Sequence, residues 1–543
     1  MVAGGGPDEP RANHSRSRVG FSRLSAVDQA RTVADSSRPK FTYSGVQTMV
    51  DVAGSEAGRC ASGVPGLDSV LGGGFLTGRS YLVLGGPGTG KSTLGLHFLA
   101  AGRVRDSLLV SLDEPKKHVH SDAASMGIAL GDLGILDFSP TAREPDESVY
   151  TVLEPWEAEA PDIRARVEQA FPDGVPERIF VDGLSQLRQL VPDDYQFRRQ
   201  VIALLQYLNR SGATVLFSAE TDSDAARDLA YVSDGILRLE ARQSRRVLSV
   251  PKFRGSGVAE GEHSLRLDGQ GMRVYERLIP REHCRDFSAD SISSGVIEID
   301  ALTGGGLDRG TTTLVSGPAG VGKTSLGIRF LCEAAQRGEN SVIFSFEERF
   351  ETLVRRCEAM AMPVGRLAES GHLSIVEIEP LHYGPDEFAH AVRHAVEADG
   401  ARVVMIDSIS GYRQSIHDQD VSIRLHALCR YLVNMGVTVL LINEQREIAG
   451  GPLRISDDSI SYLGDAIILL RYLELEGELH KAIGMLKKRT GDFEKTLREY
   501  RMTASGLDVG KPLTRLRGIL HGVPEVVGEG GREDAAAGSA KPS

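Results

Sequence analysis

At 543 residues the chain is longer than one hydrophobic core sustains, roughly 250 to 300 residues, so two domains of ordinary size are expected. Its 41% hydrophobic and 25% charged residues are those of a globular chain and exclude a fibre or a wholly disordered polymer. A net charge of -12 has the wrong sign for a protein that neutralises many DNA phosphates, and no uncharged apolar run reaches the roughly 18 residues of a membrane helix.

Residues 1–45 mix Gly, Pro, Ser, Arg and Asp without periodicity; they read as a disordered tail without the apolar core of a signal peptide, and a cytoplasmic location is expected. Five scattered cysteines (Cys60, Cys284, Cys332, Cys357 and Cys429) form no C-x-x-C pair, so reduced, buried thiols are expected rather than disulfides or a zinc site.

From Ser62 runs SGVPGLDSVLGGGFLTGRSYLVLGGPGTGKST, which recurs without a gap from Ser294 as SGVIEIDALTGGGLDRGTTTLVSGPAGVGKTS, so Lys323 follows Lys91 by 232 residues. A period this long is whole-domain duplication. The domains are expected over 46–275 and 291–522, with a linker over 276–290 and a second disordered tail over 523–543.

In each copy short apolar runs such as SYLVLGG, SLLVSLD, RIFVDG and ATVLFSAE alternate with helix-length amphipathic segments such as KSTLGLHFLAAG. That alternation predicts an α/β fold, a mostly parallel sheet flanked by helices on both faces, with ligands at the strand ends.

The phosphate-binding pattern G-x-x-x-x-G-K-[ST] falls between a strand and a helix in both copies. The expected ATP contacts are Gly85, Gly86, Pro87, Gly88, Thr89, Gly90, Lys91, Ser92 and Thr93, then Gly317, Pro318, Ala319, Gly320, Val321, Gly322, Lys323, Thr324 and Ser325. Glycines let backbone N–H groups close around phosphate oxygens, and the helix amino terminus adds favourable partial charge. Lys91 and Lys323 should hold the β and γ phosphates, and Ser92 and Thr324 should bind Mg2+. The strands RIFVD and RVVMID end in Asp182 and Asp407, candidates for the metal's water shell. Asp113 with Glu114, and Glu347 with Glu348, follow the strand beyond the loop helix, where a carboxylate orients the attacking water. Asp113 is one methylene shorter than Glu347. Both pairs also fit a plain solvated turn.

Together with the paired acids and the late segments KFRGS (Lys252 to Ser256) and KKRTGDFEKTLREY (Lys487 to Tyr500), these motifs resemble the KaiC family of the RecA superfamily, from about Val46 to Gly522. The resemblance implies two tandem RecA-like domains and a homohexameric double ring. ATP would lie at the subunit interfaces, where Lys252, Arg254, Lys487 and Arg489 reach the neighbour's nucleotide as an arginine finger does. It also implies an autokinase in the second domain directed at a Ser-Thr pair. Here the aligned residues are Ser461 and Tyr462: the serine is kept and the threonine is not. The first copy has Ala230 and Tyr231 there, and the recurring tyrosine suggests packing. A signalling partner is implied but not identified. Two other classes stay open at this point, a RecA/DnaB-type nucleic-acid-dependent ATPase and a nucleotide-assembled scaffold without turnover.

Overall fold

The structure, a computed structural model, describes residues 58–139, 163–172, 174–190, 193–242, 245–379, 383–415, 421–445, 460–519 and 525–526. The tail expected over 1–45 lies outside them. Of the tail expected over 523–543 only Glu525–Val526 is described, and it pairs antiparallel with Leu516–Arg517.

The first half builds a nine-stranded sheet from β1 (Ser80–Gly85), β2 (Ser107–Ser111), β3 (Gly134–Asp137), β4 (Arg178–Asp182), β5 (Thr214–Ala219), β6 (Gly235–Arg242), β7 (Arg245–Phe253), β8 (Glu262–Asp268) and β9 (Gly271–Tyr275). The second half repeats it with β10 (Thr312–Pro318), β11 (Ser341–Ser345), β12 (Leu373–Glu377), β13 (Val403–Asp407), β14 (Thr438–Gln445), β15 (Ala466–Leu475), β16 (Glu478–Lys488), β17 (Arg498–Thr503) and β18 (Gly506–Pro512). The order β9-β8-β7-β6-β1-β5-β4-β2-β3 recurs as β18-β17-β16-β15-β10-β14-β13-β11-β12. Six strands of each sheet are parallel, and the last three extend it antiparallel. Two tandem RecA-like domains account for this repeated architecture.

Because strand side chains alternate, a sheet buried on both faces needs apolar residues at every position. Tyr81 and Val83 of β1 join one buried cluster while Leu82 and Leu84 join the other. In the second half, Ile343 and Met405 face one cluster, and Val342, Phe344, Val404 and Ile406 the other. Helices α1 (Lys91–Ala100), α2 (Asp194–Arg210), α3 (Lys323–Gln336), α4 (Pro385–Glu397) and α5 (Val421–Asn434) supply the flanking layers. Among the described residues no helix is long and apolar enough to cross a membrane.

The helix after each phosphate loop sits close to its sheet because a glycine faces it. A methyl on Gly95 would meet the Phe180 ring at 2.1 Å, and one on Gly327 would meet the Met405 sulfur at 2.7 Å. A ring fixed in the core cannot step aside, whereas a thioether swings on three bonds. Gly95→Ala is therefore expected to destabilise by about 2–3 kcal/mol, and Gly327→Ala by less. Urea midpoints compare them; equal shifts would refute the account.

Lys252 and Lys487 stand on interior strands, since β7 pairs with β6 and β8 and β16 with β15 and β17, while Arg254 and Arg489 come just after those strands end. Pairing with β8 is confined to Arg246–Ser249, so the end of β7 that bears Lys252 extends past it. Likewise β16 pairs with β17 at Ala482 and Ile483, well before Lys487.

Two imidazoles lock the antiparallel extension of the first half. His97 Nε2 accepts the Met272 N–H at 2.9 Å, and His263 Nδ1 accepts the Arg277 N–H at 3.0 Å while its other nitrogen lies 3.2 Å from the Ala259 carbonyl. Burial holds both below the usual histidine range. A histidine whose folded pKa is depressed stabilises fully above the unfolded value of about 6.5 and loses that stability as the pH falls through it. The two histidines thus contribute a loss of unfolding free energy as the pH falls below about 6.5, and His97→Gln with His263→Gln should remove that contribution from the pH slope; an unchanged slope would contradict it.

Residues 276–290 run along the second half: the Arg285 N–H reaches the Asn434 carbonyl at 3.0 Å, and Asn434 Nδ2 donates to the Pro280 carbonyl at 2.9 Å. Cys332, Cys357 and Cys429 are buried as expected, while Cys284 is exposed.

Candidate functional site

Parallel strands carry all their carboxyl ends to one edge. In each half that edge reads, in sheet order, phosphate loop, acidic residue, strand-end aspartate and acid pair. In the first half these lie at the ends of β1, β5 (Glu220), β4 and β2; in the second at the ends of β10, β14 (Glu444), β13 and β11.

Strand β1 ends at Gly85 and α1 starts at Lys91; the five-residue turn between them owes its shape to glycine. Gly88 and Gly320 have φ of 70° and 72°, and Gly90 and Gly322, the residues before each helix, have φ of 103° and 113°. A side chain at Gly90 would also strike Met272 at 2.7 Å. Left-handed backbone of this kind costs glycine least. Lys91 Nζ donates to the Gly85 and Gly86 carbonyls at 3.0 Å, and Lys323 Nζ to the Pro318 carbonyl at 2.8 Å. Lys323 is buried, which lowers its pKa, against the opposing pull of Glu444, Asp407 and Glu347.

The hydroxyl after each lysine meets the strand-end aspartate. Thr324 Oγ1 donates to Asp407 Oδ2 at 2.8 Å, and Ser92 hydrogen-bonds to Asp182, whose Oδ1 also accepts the Ser218 hydroxyl at 2.5 Å. Burial is the main cause that lifts both carboxyls, Asp407 to about 6, with these hydroxyls pulling the other way.

Each acid pair is pinned to the neighbouring strand end. The Leu112 N–H bonds the Asp182 carbonyl at 3.0 Å, and the Phe346 N–H the Asp407 carbonyl at 2.8 Å. Ser111 and Ser345 cap the two turns by donating to the Glu114 and Glu348 carbonyls at 2.6 and 2.7 Å. Side chains then diverge. Glu347 accepts the hydroxyl of Ser408, whereas the residue after Asp182 is Gly183, whose added Cβ would lie 3.3 Å from Asp113. Glu348 pairs with Arg356 at 2.6 Å. Glu114 has carboxylate neighbours instead: burial first, then Asp182, Asp122 and Asp113, push its pKa up.

The four late cations have partners in their own chain. Lys252 Nζ donates to the Ala230 and Ser233 carbonyls at 2.8 and 2.5 Å, and Lys487 Nζ to Gly464 at 2.6 Å and Ser461 at 3.4 Å. Arg254 lies 3.9 Å from Asp234, and Arg489 lies 3.1 Å from Asp465, with both arginines more than half exposed. Ser461 sits in the turn Ile460–Tyr462 just before β15. The recurring tyrosines do not pack inside: Tyr231 is 72% exposed and Tyr462 44%, with one edge contact to His426. A position before a buried strand reads as core in sequence, but Tyr231 lies exposed in the helix Asp224–Val232 and Tyr462 in the turn before β15.

Sequence reasoning missed Ser218, Ser408, Arg356 and Asp122. Ser408 directly follows Asp407 and could have been suspected; Ser218 lies on another strand, with no motif to flag it.

The family model for the KaiC ATPase matches this chain twice, over residues 60–279 and 292–514. Curated relatives include the circadian clock oscillator protein KaiC of Synechococcus elongatus, 27% identical over 85% of this chain and 91% of the relative. The protein of the same name from Prochlorococcus marinus subsp. pastoris is 28% identical, covering 86% and 93%. The circadian clock protein KaiC3 of Synechocystis sp. is 26% identical, covering 88% and 96%. With two phosphate loops on two repeated sheets, this nucleotide-binding chain belongs to the KaiC family of ATPases and carries the family's domain twice.

Proposed function

We propose that the chain is a Mg-ATP-dependent ATPase with one site in each half. The single observation that carries this reading is the repeated contact between the loop hydroxyl and the strand-end aspartate, Thr324 with Asp407 and Ser92 with Asp182. Hydroxyl and carboxylate oxygens are the hard donors that Mg2+ takes, usually together with waters and substrate phosphates. When bound there, the ion neutralises charge on the phosphates.

Lys91 and Lys323 turn their ammonium groups from the loop carbonyls to the β and γ phosphates. In the second half, Glu347, oriented by Ser408, aligns a water and takes its proton as the water oxygen bonds to the γ phosphorus and the bond to ADP breaks. In the first half the Asp113–Glu114 pair serves the same step without a hydroxyl following the strand-end aspartate. Arg254 and Arg489, exposed at the surface, together with Lys252 and Lys487, act on a neighbouring chain's nucleotide in a ring of six. The second half also transfers phosphate to Ser461, next to its own sheet.

Incubation with Mg-ATP, followed by intact-mass and phosphopeptide analysis and a free-phosphate assay, tests both activities. Phosphate release by the wild type and a mass gain abolished by Ser461→Ala are expected. Release without modification would remove the autokinase, and neither would remove the enzyme.

A further inference from the structure

We propose that Arg356 is a positioning residue of the second ATP site, and that its counterpart Asp122 makes the first site a different machine. The inference rests on the ATPase reading above. The two residues occupy one position: Asp122 lies eight residues after Glu114, and Arg356 eight after Glu348, each on the helix that follows the acid pair. The repeat thus carries opposite charges at one point behind its catalytic turn.

Arg356 uses both arms of its guanidinium. One nitrogen donates to Glu348 Oε2 at 2.6 Å, and the other to Ser325 Oγ at 3.3 Å. Ser325 is fully buried in α3, directly after Thr324. The fork therefore ties the acid-pair turn to the helix that carries the phosphate loop, while Glu348 is occupied and Glu347 is left to orient water. A planar guanidinium reaches two acceptors in this way; an ammonium does not hold the same fork.

Among the described residues the first half has no such tie. Thr93, in the place of Ser325, bonds the Met126 sulfur at 3.2 Å. Asp122 is exposed and borders a cavity of about 230 Å³ with Lys91, Ser92, Glu114 and Asp182. A carboxylate there repels Glu114 rather than fixing it. Orientation of the water-aligning group acts on the chemical step, where misplacement by 1 Å costs up to about 100-fold.

The test uses full-length protein with the first site silenced by Lys91→Ala, so that the remaining phosphate release belongs to the second. In that parent, Arg356→Ala is expected to lower kcat about tenfold with KM for Mg-ATP within about twofold, and Arg356→Lys to recover part of the loss. In a Lys323→Ala parent, Asp122→Arg is expected to raise the first site's kcat. Equal kcat in the Arg356→Ala variant and its parent would overturn the proposal while leaving the ATPase reading intact. A Lys91→Ala parent that releases no phosphate would sink both, and a matched rise in KM without a change in kcat would assign Arg356 to binding and overturn its positioning role.

Discussion

Glu347→Gln is expected to lower phosphate release by the second half by about 10²–10³-fold while nucleotide affinity changes by less than about threefold. Gln keeps the shape and still accepts the Ser408 hydroxyl but cannot take a proton from water. Lys323, Asp407 and Thr324 stay in place, because none of their hydrogen bonds runs through the Glu347 carboxylate. The measurement is single-turnover phosphate release in a Lys91→Ala background. Glu348→Gln should cost less, since that carboxylate is already paired with Arg356. Equal losses in the two variants would show that the roles inside the pair are shared.

Arg424→Met is expected to destabilise the chain by about 3–5 kcal/mol, because it strips the counter-charge from a carboxylate buried where the two halves meet. Asp386, in the first turn of α4, is 3% exposed. Its Oδ2 accepts the N–H and hydroxyl of Ser264, in β8 of the first half, at 3.0 and 2.9 Å, and its Oδ1 accepts from Arg424 Nη1 at 2.6 Å. Burial already pushes this carboxyl upward, with Arg424 the largest opposing influence. Beside it Arg266 of the first half pairs with Glu387 at 3.0 Å. Urea unfolding measures the loss. Adding Asp386→Asn should restore most of it, since a neutral amide keeps a carbonyl for Ser264 without leaving a charge unpaired; a double variant as unstable as Arg424→Met would refute the account.

None of this contact could have been read from the sequence, because Asp386, Ser264 and Arg424 lie in different elements and form no motif. The sheets themselves were legible, since strands buried on both faces must be continuously apolar and the duplication shows each pattern twice. Gly90 and Gly322 were legible for a related reason: a tight turn into a helix leaves glycine as the residue that fits. The antiparallel extension was less so, since the alternation of strands and helices points only to the parallel part of each sheet. The tyrosines before β6 and β15 misled because recurrence marks a shared constraint without saying whether it is burial. Arg356 and Asp122 were visible in principle, but a charge on a helix face reads as solvated until a partner such as Ser325 is placed beside it.

Equilibrium dialysis of ATP against the full chain and its loop variants tests the account most directly. Two nucleotides per wild-type chain, one for Lys91→Ala, one for Lys323→Ala and none for the double variant are predicted. A single nucleotide per wild-type chain, or binding that survives in the double variant, would contradict a two-site ATPase.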